Sequence, residues 1–142
     1  MKQTLFLLLM GLFALSTLHA QKSENEKAVK QTIKDFAAFG DQQDADGLNQ
    51  VLDETYRVVM NQLFGSKEVF TVNKQGYLEK IRAKEWGGDK RSLTFHNVHV
   101  NGKSASAEVT MKGTKMSMRS FLTLIQDAEG TWKLVADIPT VL

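Results

Sequence analysis

Residues 115–138 have the sequence KMSMRSFLTLIQDAEGTWKLVADI, and this stretch decides the fold. It predicts two antiparallel strands, Met116–Gln126 and Thr131–Ile138, joined by a tight turn. A type I turn followed by a left-handed residue fits the join, because Gly130 adopts a positive φ without strain from a Cβ atom. A sheet built outward from this hairpin is therefore expected.

The turn pairs Asp127 with Thr131, and that pairing assigns every side chain of the hairpin to a face. The predicted inner face is apolar, with the small residues Ser120 and Ala136 among its large ones: Met118, Leu122, Leu124, Trp132, Leu134 and Ile138. The predicted outer face carries the remaining residues: Arg119, Phe121, Thr123, Ile125, Lys133, Val135 and Asp137. Arg119 and Asp137 are then diagonal neighbours, and a cross-strand ion pair is expected between them.

The N-terminal residues 1–20 resemble a targeting segment. Lys2 supplies a positive charge, an apolar run covers Leu5–Leu15, and small residues precede a predicted cut after Ala20. The apolar run is shorter than the roughly 20 residues that a membrane-spanning helix needs. We therefore predict a secretory signal peptide and an exported protein, periplasmic or secreted; an uncleaved N-terminal anchor is the alternative.

Residues 21–142 are enough chain for one domain with its own hydrophobic core. The formal net charge of the whole chain is +2, so neither nucleic-acid binding nor membrane binding after signal cleavage is indicated. The absence of cysteine excludes thiol catalysis and thiolate metal sites. We predict no metal site and no cofactor.

Hydrophobic periodicity predicts helices first and strands later in the chain. Helices are expected at Glu26–Gly40, Asp44–Leu52 and Lys74–Trp86, with Asn73 capping the third. Further strands are expected at Thr55–Gln62, Glu68–Val72, Ser92–Val100 and Lys103–Lys112. This segregation predicts an α+β domain in which three helices pack on a curved antiparallel sheet.

The dipeptide Asn101-Gly102 indicates a two-residue hairpin that sets Val98 opposite Ala105. Continued without interruption, this register breaks the apolar face. A single bulge at His96-Asn97 restores it by setting Phe95 opposite Ala107. Because bulges bend a sheet, the predicted sheet can enclose a space.

Together these segments resemble the nuclear-transport-factor-two-like superfamily, whose members are cone-shaped α+β domains with a cystatin-like fold. The resemblance covers nearly all of residues 21–142 and rests on Val29, Ile33, Phe36, Asp41–Leu52, Asn73–Ile81, Leu93–Ala107, FLTL at 121–124 and GTWKLV at 130–135. The superfamily includes ketosteroid isomerase, SnoaL-type polyketide cyclases and scytalone dehydratase. The chain is most similar to exported bacterial members described as SnoaL-like or lumazine-binding.

The resemblance implies where catalytic groups would lie. Catalytic members place a Tyr on the first helix and carboxylates or His residues inside the cone. Here the first helix offers Phe36 and Phe39, and the inward positions of the last two strands offer Ser120 and Ala136 among leucines. The acid–base residues of ketosteroid isomerase are thus not found in this sequence. His96 is the weak candidate for a catalytic general base. Tyr56 and Glu108 are the other ionisable residues to consider, and alternation places Glu108 on the outer face.

Small residues on the inner face predict a cavity in the cone, although a core filled by large side chains is the alternative. Candidate ligand-binding residues are Tyr56, Met60, Trp86, Met111, Met118 and Ser120. The segment Trp86–Arg91 is interpreted as a mobile loop and a candidate lid over the cone mouth.

Three functions remain open. The first is non-catalytic binding of a small, largely apolar ligand. The second is a proton-transfer enzyme of the cyclase, isomerase or dehydratase kind. The third is an interaction protein with a filled core, which forms a homodimer through the apolar strip of Phe121, Ile125 and Val135 on the open sheet face.

Overall fold

A computed structural model describes the backbone of residues 2–142 and the side chains of residues 20–142. Within these residues the elements are α1 (Lys2–Gln42), α2 (Ala45–Val51), β1 (Leu52–Asn61), β2 (Val69–Asn73), α3 (Lys74–Arg82), β3 (Ser92–Asn101), β4 (Ser104–Lys112), β5 (Ser117–Gln126) and β6 (Trp132–Val141). The predicted signal peptide, residues 1–20, lies outside the described side chains except for Ala20. No helix among the described residues is both long and apolar enough to cross a membrane.

The six strands form one sheet in the order β2-β1-β6-β5-β4-β3. The sheet is curved and unclosed, and the helices pack on it, so the predicted α+β cone is confirmed. All neighbouring strands are antiparallel except β1 and β6, which are parallel. A parallel neighbour requires a long crossover connection, and here the crossover contains β2, α3 and the β3–β5 meander.

The helices bury the apolar stripe that their sequence predicts. Val29, Ile33 and Phe36 of α1 are buried against the sheet. The Asn73 side chain caps α3 by accepting a hydrogen bond from Gly76 N at 2.9 Å. This helix ends at Arg82 rather than Trp86.

The turn between β5 and β6 has the predicted geometry. Asp127 N donates to Thr131 O at 2.9 Å, and Gly130 has a φ of 84°. The first pairs of the hairpin, including Leu124 with Leu134, also follow the prediction.

Beyond Leu134 the predicted register is wrong, because Val135 is an extra residue in β6 that has no partner in β5. Such a bulge exchanges the two faces for every later residue of the strand. Leu122 therefore pairs with Asp137 instead of Ala136. Asp137 is buried on the inner face, and Ile138, predicted to be inward, is exposed.

The bulge also separates the predicted ion pair. Arg119 remains on the outer face, where its Nη1 atom lies 3.6 Å from Glu108 Oε1. Asp137 lies on the opposite face of the sheet. The expected cross-strand pair of Arg119 with Asp137 is thus replaced by a partly exposed pair with Glu108.

The predicted bulge in β3 is confirmed between Phe95 and Asn97. The register of the β3–β4 hairpin differs by two residues, so Val98 pairs with Ala107 rather than Ala105. The two turn residues are Gly102 and Lys103, whereas Asn101 and Gly102 were predicted. A shift of two residues leaves each side chain on its original face, and so the hydrophobic pattern does not distinguish the two registers.

Candidate ligand-binding cavity

A cavity of about 510 Å³ lies between the concave face of the sheet and the helices. Five of the six predicted ligand-binding residues line it: Met60, Trp86, Met111, Met118 and Ser120. Tyr56, the sixth, is fully buried behind the wall, and Tyr77 of α3 lines the cavity in its place. A cavity therefore remains on the inner face. The alternative interpretation, a core filled by large side chains, is not what the structure shows.

Aromatic rings form one wall, and Tyr77 is at their centre. Its ring centroid lies 5.4 Å from that of Tyr56, 5.5 Å from that of Trp86 and 6.2 Å from that of Phe36. The edge-to-face contacts with Tyr56 and Trp86 fix the orientation of the central ring. This wall is consequently a preorganised surface.

Thioether side chains form much of the remaining apolar lining: Met60, Met111, Met116 and Met118. Methionine is flexible and polarisable, and its side chain adapts to ligands of different shape. The cavity thus combines a fixed aromatic wall with adaptable sulfur-containing walls.

Asp137 places the only buried carboxyl group of the described residues on the cavity wall. Burial raises the pKa of Asp137 to about 7, while a hydrogen bond from Ser120 and the positive charge of Arg91 lower it. Its Oδ1 atom has no hydrogen-bond partner among the described residues. Sequence reasoning missed Asp137, because strict alternation along β6 places it on the outer face.

Arg91 lines the cavity, but its guanidinium is bound to other groups of the protein. Nε donates to Asp41 Oδ1 at 2.5 Å, and Nη2 donates to Ala37 O at 2.9 Å. Both side chains of the ion pair are only 14% exposed. Arg91 therefore anchors the end of the predicted lid segment to α1.

The mouth of the cavity is bordered by residues with positive φ. Gln43, Phe64 and Lys84 have φ values of 55°, 55° and 58°, and all three line the cavity. L-amino acids with side chains rarely adopt this conformation, which costs about 1 kcal/mol or more per residue. Such strain is found preferentially at functional sites.

The segment following α3 is hydrogen-bonded to the C-terminal end of α1 and to Gln43, the residue after it. Gln43 Nε2 donates to Trp86 O at 3.0 Å, and Gly88 N donates to Gly40 O at 3.1 Å. Gly87 lies so close to α1 that a Cβ atom on it would be 2.3 Å from Gly40 O. Only glycine fits at this contact.

Asp89 joins the same segment to the turn before β5. Its carboxylate accepts hydrogen bonds from Thr114 N and Lys115 N, each at 2.9 Å, from Thr114 Oγ1 at 2.6 Å and from Met116 N at 3.2 Å. Hydrogen bonding to Thr114 is the main reason that the pKa of Asp89 is lowered to about 2. The predicted lid segment is thus hydrogen-bonded on two sides of the cavity mouth.

His96, the weak catalytic candidate, is exposed on the outer face, and its Nε2 atom lies 2.7 Å from Thr110 Oγ1. The bulge between Phe95 and Asn97 determines this orientation. His96 is therefore not a candidate for proton transfer inside the cone. Asp137 is instead the ionisable group that is buried on the inner wall of the cone.

A curved sheet, helices on its concave face and a cavity between them define a nuclear-transport-factor-2-like domain. The chain belongs to the family described as "Putative lumazine-binding", whose profile matches residues 24–138. Comparison with curated proteins finds no significant match.

Solved structures show the same fold. A nuclear-transport-factor-2-like protein of unknown function from Silicibacter pomeroyi DSS-3 has 18% identity, covers 84% of this chain and 98% of its own, and has a TM-score of 0.73. A similar protein of unknown function from Shewanella baltica OS155 has 14% identity, covers 84% and 95%, and has a TM-score of 0.72. One from Cytophaga hutchinsonii ATCC 33406 has 13% identity, covers 82% and 97%, and has a TM-score of 0.64. These identities show the fold alone.

Proposed function

We propose that this protein binds a small, largely apolar ligand in the cone cavity. The observation that carries the proposal is the cavity of about 510 Å³, with aromatic and thioether walls. Sites for small molecules are concave, largely apolar and roughly 300–1,000 Å³ in volume, with a few polar groups that orient the ligand. The family description, which names lumazine, also supports a small molecule as the occupant.

Asp137 and Ser120 are the polar groups suited to orient such a ligand. Both are buried on the cavity wall, on neighbouring strands. A ligand that donates a hydrogen bond to Asp137 would satisfy a carboxyl oxygen that lacks a partner among the described residues. Binding would thus improve the hydrogen bonding of the inner face.

Native mass spectrometry of the purified protein, together with titration of a hydrophobic fluorescent dye, tests this proposal. We expect a co-purified small molecule or saturable dye binding. Met118→Trp should abolish dye binding because Met118 lines the cavity. Phe70→Trp, on exposed strand β2, is the matched control and should retain binding. Equal dye binding by the two variants would contradict the proposal, provided that circular dichroism shows both to be folded.

A second candidate function is proton transfer of the cyclase, isomerase or dehydratase kind. The pKa of Asp137 near 7 supports it, because a general base is most effective when its pKa is close to the working pH. Asp137→Asn would then abolish turnover of a bound substrate and leave substrate binding measurable. Turnover that persists in this variant would exclude Asp137 as the base.

We further infer that two copies associate through the open sheet face. Phe121 and Ile138 are paired across β5 and β6, face away from the cavity and are 54% and 43% exposed. Light scattering should report a dimer, and Phe121→Glu should produce a monomer. The control Phe70→Glu changes a similarly exposed residue of β2. A wild-type monomer at high concentration would rule out this association.

We also infer export, on the basis of residues 1–20. Expression of the full chain in a bacterial host should yield a protein shortened by about these residues in the periplasm or medium. Intact mass measurement locates the cut. A full-length mass confined to the cytoplasm would contradict export.

A further inference from the structure

The position of Asp137 has a consequence for the chemistry of the ligand. Its side chain lies on the cavity wall and is only 7% exposed. One carboxyl oxygen is buried without a hydrogen-bond partner among the described residues. A buried carboxylate is costly unless a cation or hydrogen-bond donors compensate it. The surrounding side chains therefore compensate the Asp137 carboxylate only in part, and its Oδ1 atom still lacks a hydrogen-bond donor or a cation within the described part of the chain.

The groups that act on this carboxyl come from four elements. The Ser120 hydroxyl of β5 and the positive charge of Arg91, just before β3, both counteract the effect of burial on the pKa of this carboxyl. Tyr56 of β1 and Tyr77 of α3 are close enough to be affected by it: burial raises the pKa of both tyrosines, and the negative charge of Asp137 adds to this effect. Both tyrosines are uncharged at neutral pH.

Arg91 is the nearby cation, but Asp41 already compensates it. Its Nε donates to the Asp41 carboxylate, and its Nη2 donates to Ala37 O. The Arg91–Asp41 pair is neutral as a unit. Among residues 20–142, ionised Asp137 consequently has no cation beside it that is not already compensated. The other charged residues of the lining belong to the segment after α3 and to the turn before β5: Lys84, Glu85, Asp89 and Lys115.

Aromatic rings lie on the same cavity. Phe36, Tyr77 and Trp86 all line it, and Tyr77 contacts both of the other rings. The faces of such rings attract cations, including the ammonium groups of ligands. The attraction is stronger when water is excluded. A carboxylate together with aromatic rings is the combination that recognises a protonated amine.

We propose that the ligand of this cavity is an amphiphilic amine, whose protonated nitrogen pairs with Asp137 while its apolar body contacts the aromatic and thioether walls. This inference rests on the proposed ligand-binding function. An anionic ligand would be repelled by Asp137. Arg91 would offer it mainly Nη1, which contacts Met111 Sδ at 3.6 Å, because Nε and Nη2 already donate to Asp41 and Ala37 O. A neutral ligand would leave the carboxylate charge without a counterion.

The proposal implies a direction of pH dependence. Only ionised Asp137 forms the ion pair, and its pKa in the free protein is about 7. Amine binding should therefore weaken as the pH falls below 7, approaching about tenfold per pH unit. An aliphatic amine stays protonated up to about pH 10, so affinity should be nearly constant between pH 8 and 9.

The test is calorimetric titration of the purified protein with two probes of similar shape, 2-(2-naphthyl)ethylamine and 2-(2-naphthyl)ethanol. At pH 8 the amine should bind about tenfold more tightly than the alcohol, or better. In Asp137→Asn the ratio of the two affinities should fall to about one. If this variant does not fold, the wild type at pH 5.5 replaces it, and the ratio should shrink there for the same reason.

The outcomes separate this inference from the proposed function. Equal binding of the two probes by the wild type would overturn the amine inference and leave the cavity as a ligand site. A preference for the amine that is unchanged in Asp137→Asn and at pH 5.5 would overturn it as well. If neither probe binds and the hydrophobic dye does not bind either, the amine inference and the proposed function both fail. If the dye binds and neither probe does, the amine inference alone fails.

Discussion

Asp137 lies opposite Leu122 in the pairing of β5 with β6, so its carboxyl group is among the apolar side chains of the inner face. A charged group in this place is stabilised far less than in water, which is why the pKa of Asp137 rises to about 7. The candidate site thus contains a carboxyl group whose ionised form is disfavoured by burial.

The stability of the protein should depend on pH through Asp137. Its pKa is about 7 in the folded state and 3.8 in the reference state, so the folded state binds the extra proton between these values. The contribution of this group to the free energy of unfolding is therefore largest at low pH. It decreases by up to about 4 kcal/mol as the pH rises from about 4 to 7.

Urea unfolding of wild type and Asp137→Asn at pH 5 and pH 8 measures this effect. The variant should gain stability relative to the wild type at pH 8, because the amide carries no charge to bury. A difference between the two proteins that is the same at both pH values would contradict the predicted burial of an ionised carboxyl.

Removal of the Tyr56 hydroxyl should stabilise the protein. The ring is buried, and its hydroxyl group has no hydrogen-bond partner among the described residues. Tyr56→Phe keeps the ring contacts with Phe36 and Tyr77, and we expect the free energy of unfolding to rise by about 1 kcal/mol. Tyr56→Leu loses those contacts and should lower it. Urea unfolding distinguishes these results, and a clear loss of stability in Tyr56→Phe would reveal a hydrogen bond of the hydroxyl.

Gly87, which lines the cavity, and Gly65, which does not, provide a matched comparison. Gly87 and Gly65 have φ values of 78° and 82°, but a Cβ on Gly65 would have no heavy atom within 4 Å. Gly65→Ala should cost about 1 kcal/mol from backbone strain alone. Gly87→Ala adds a collision with Gly40 O and should lower the melting temperature considerably more. Equal melting temperatures would show that the segment after α3 moves away from α1 without cost.

The carboxylate of Asp89 should hold the mouth segment in place over most of the pH range. Its pKa is lowered to about 2 from 3.8. Its contribution to the stability of the folded state is therefore present above about pH 4 and is lost as the pH falls toward 2. Asp89→Ala removes four hydrogen bonds to the turn before β5. Amide exchange of Thr114 and Lys115 should accelerate as a result.

Asp46→Ala is the control for this experiment, because Asp46 is exposed and its one ion pair within residues 20–142 is a 3.7 Å contact with Arg82. Amide exchange at the turn should remain at the wild-type rate in this variant. Unchanged exchange in Asp89→Ala as well would mean that the backbone of the turn is protected without the carboxylate.

Features that depend only on residues close together in the sequence could be predicted. The left-handed Gly130, the Asn73 cap and the buried stripe of α1 each follow from local backbone geometry or from helical spacing. Four strand residues that were predicted to bind a ligand line the cavity for a related reason, since alternation along a strand assigns residues to faces without knowledge of their partners: Met60, Met111, Met118 and Ser120.

Only the tertiary structure decided which ionisable groups meet in the cavity. The bulge at Val135 reverses the alternation of β6, and the apolar pattern of the strand favours the register without it. Arg91 and Tyr77 reach the same wall from a loop and from α3, elements whose distance from β6 no local pattern encodes. The sequence by itself determined the family fold and its apolar inner face. The placement of Asp137 depended on how the strands pack and bend, because a single unpaired residue changes the face of every residue after it.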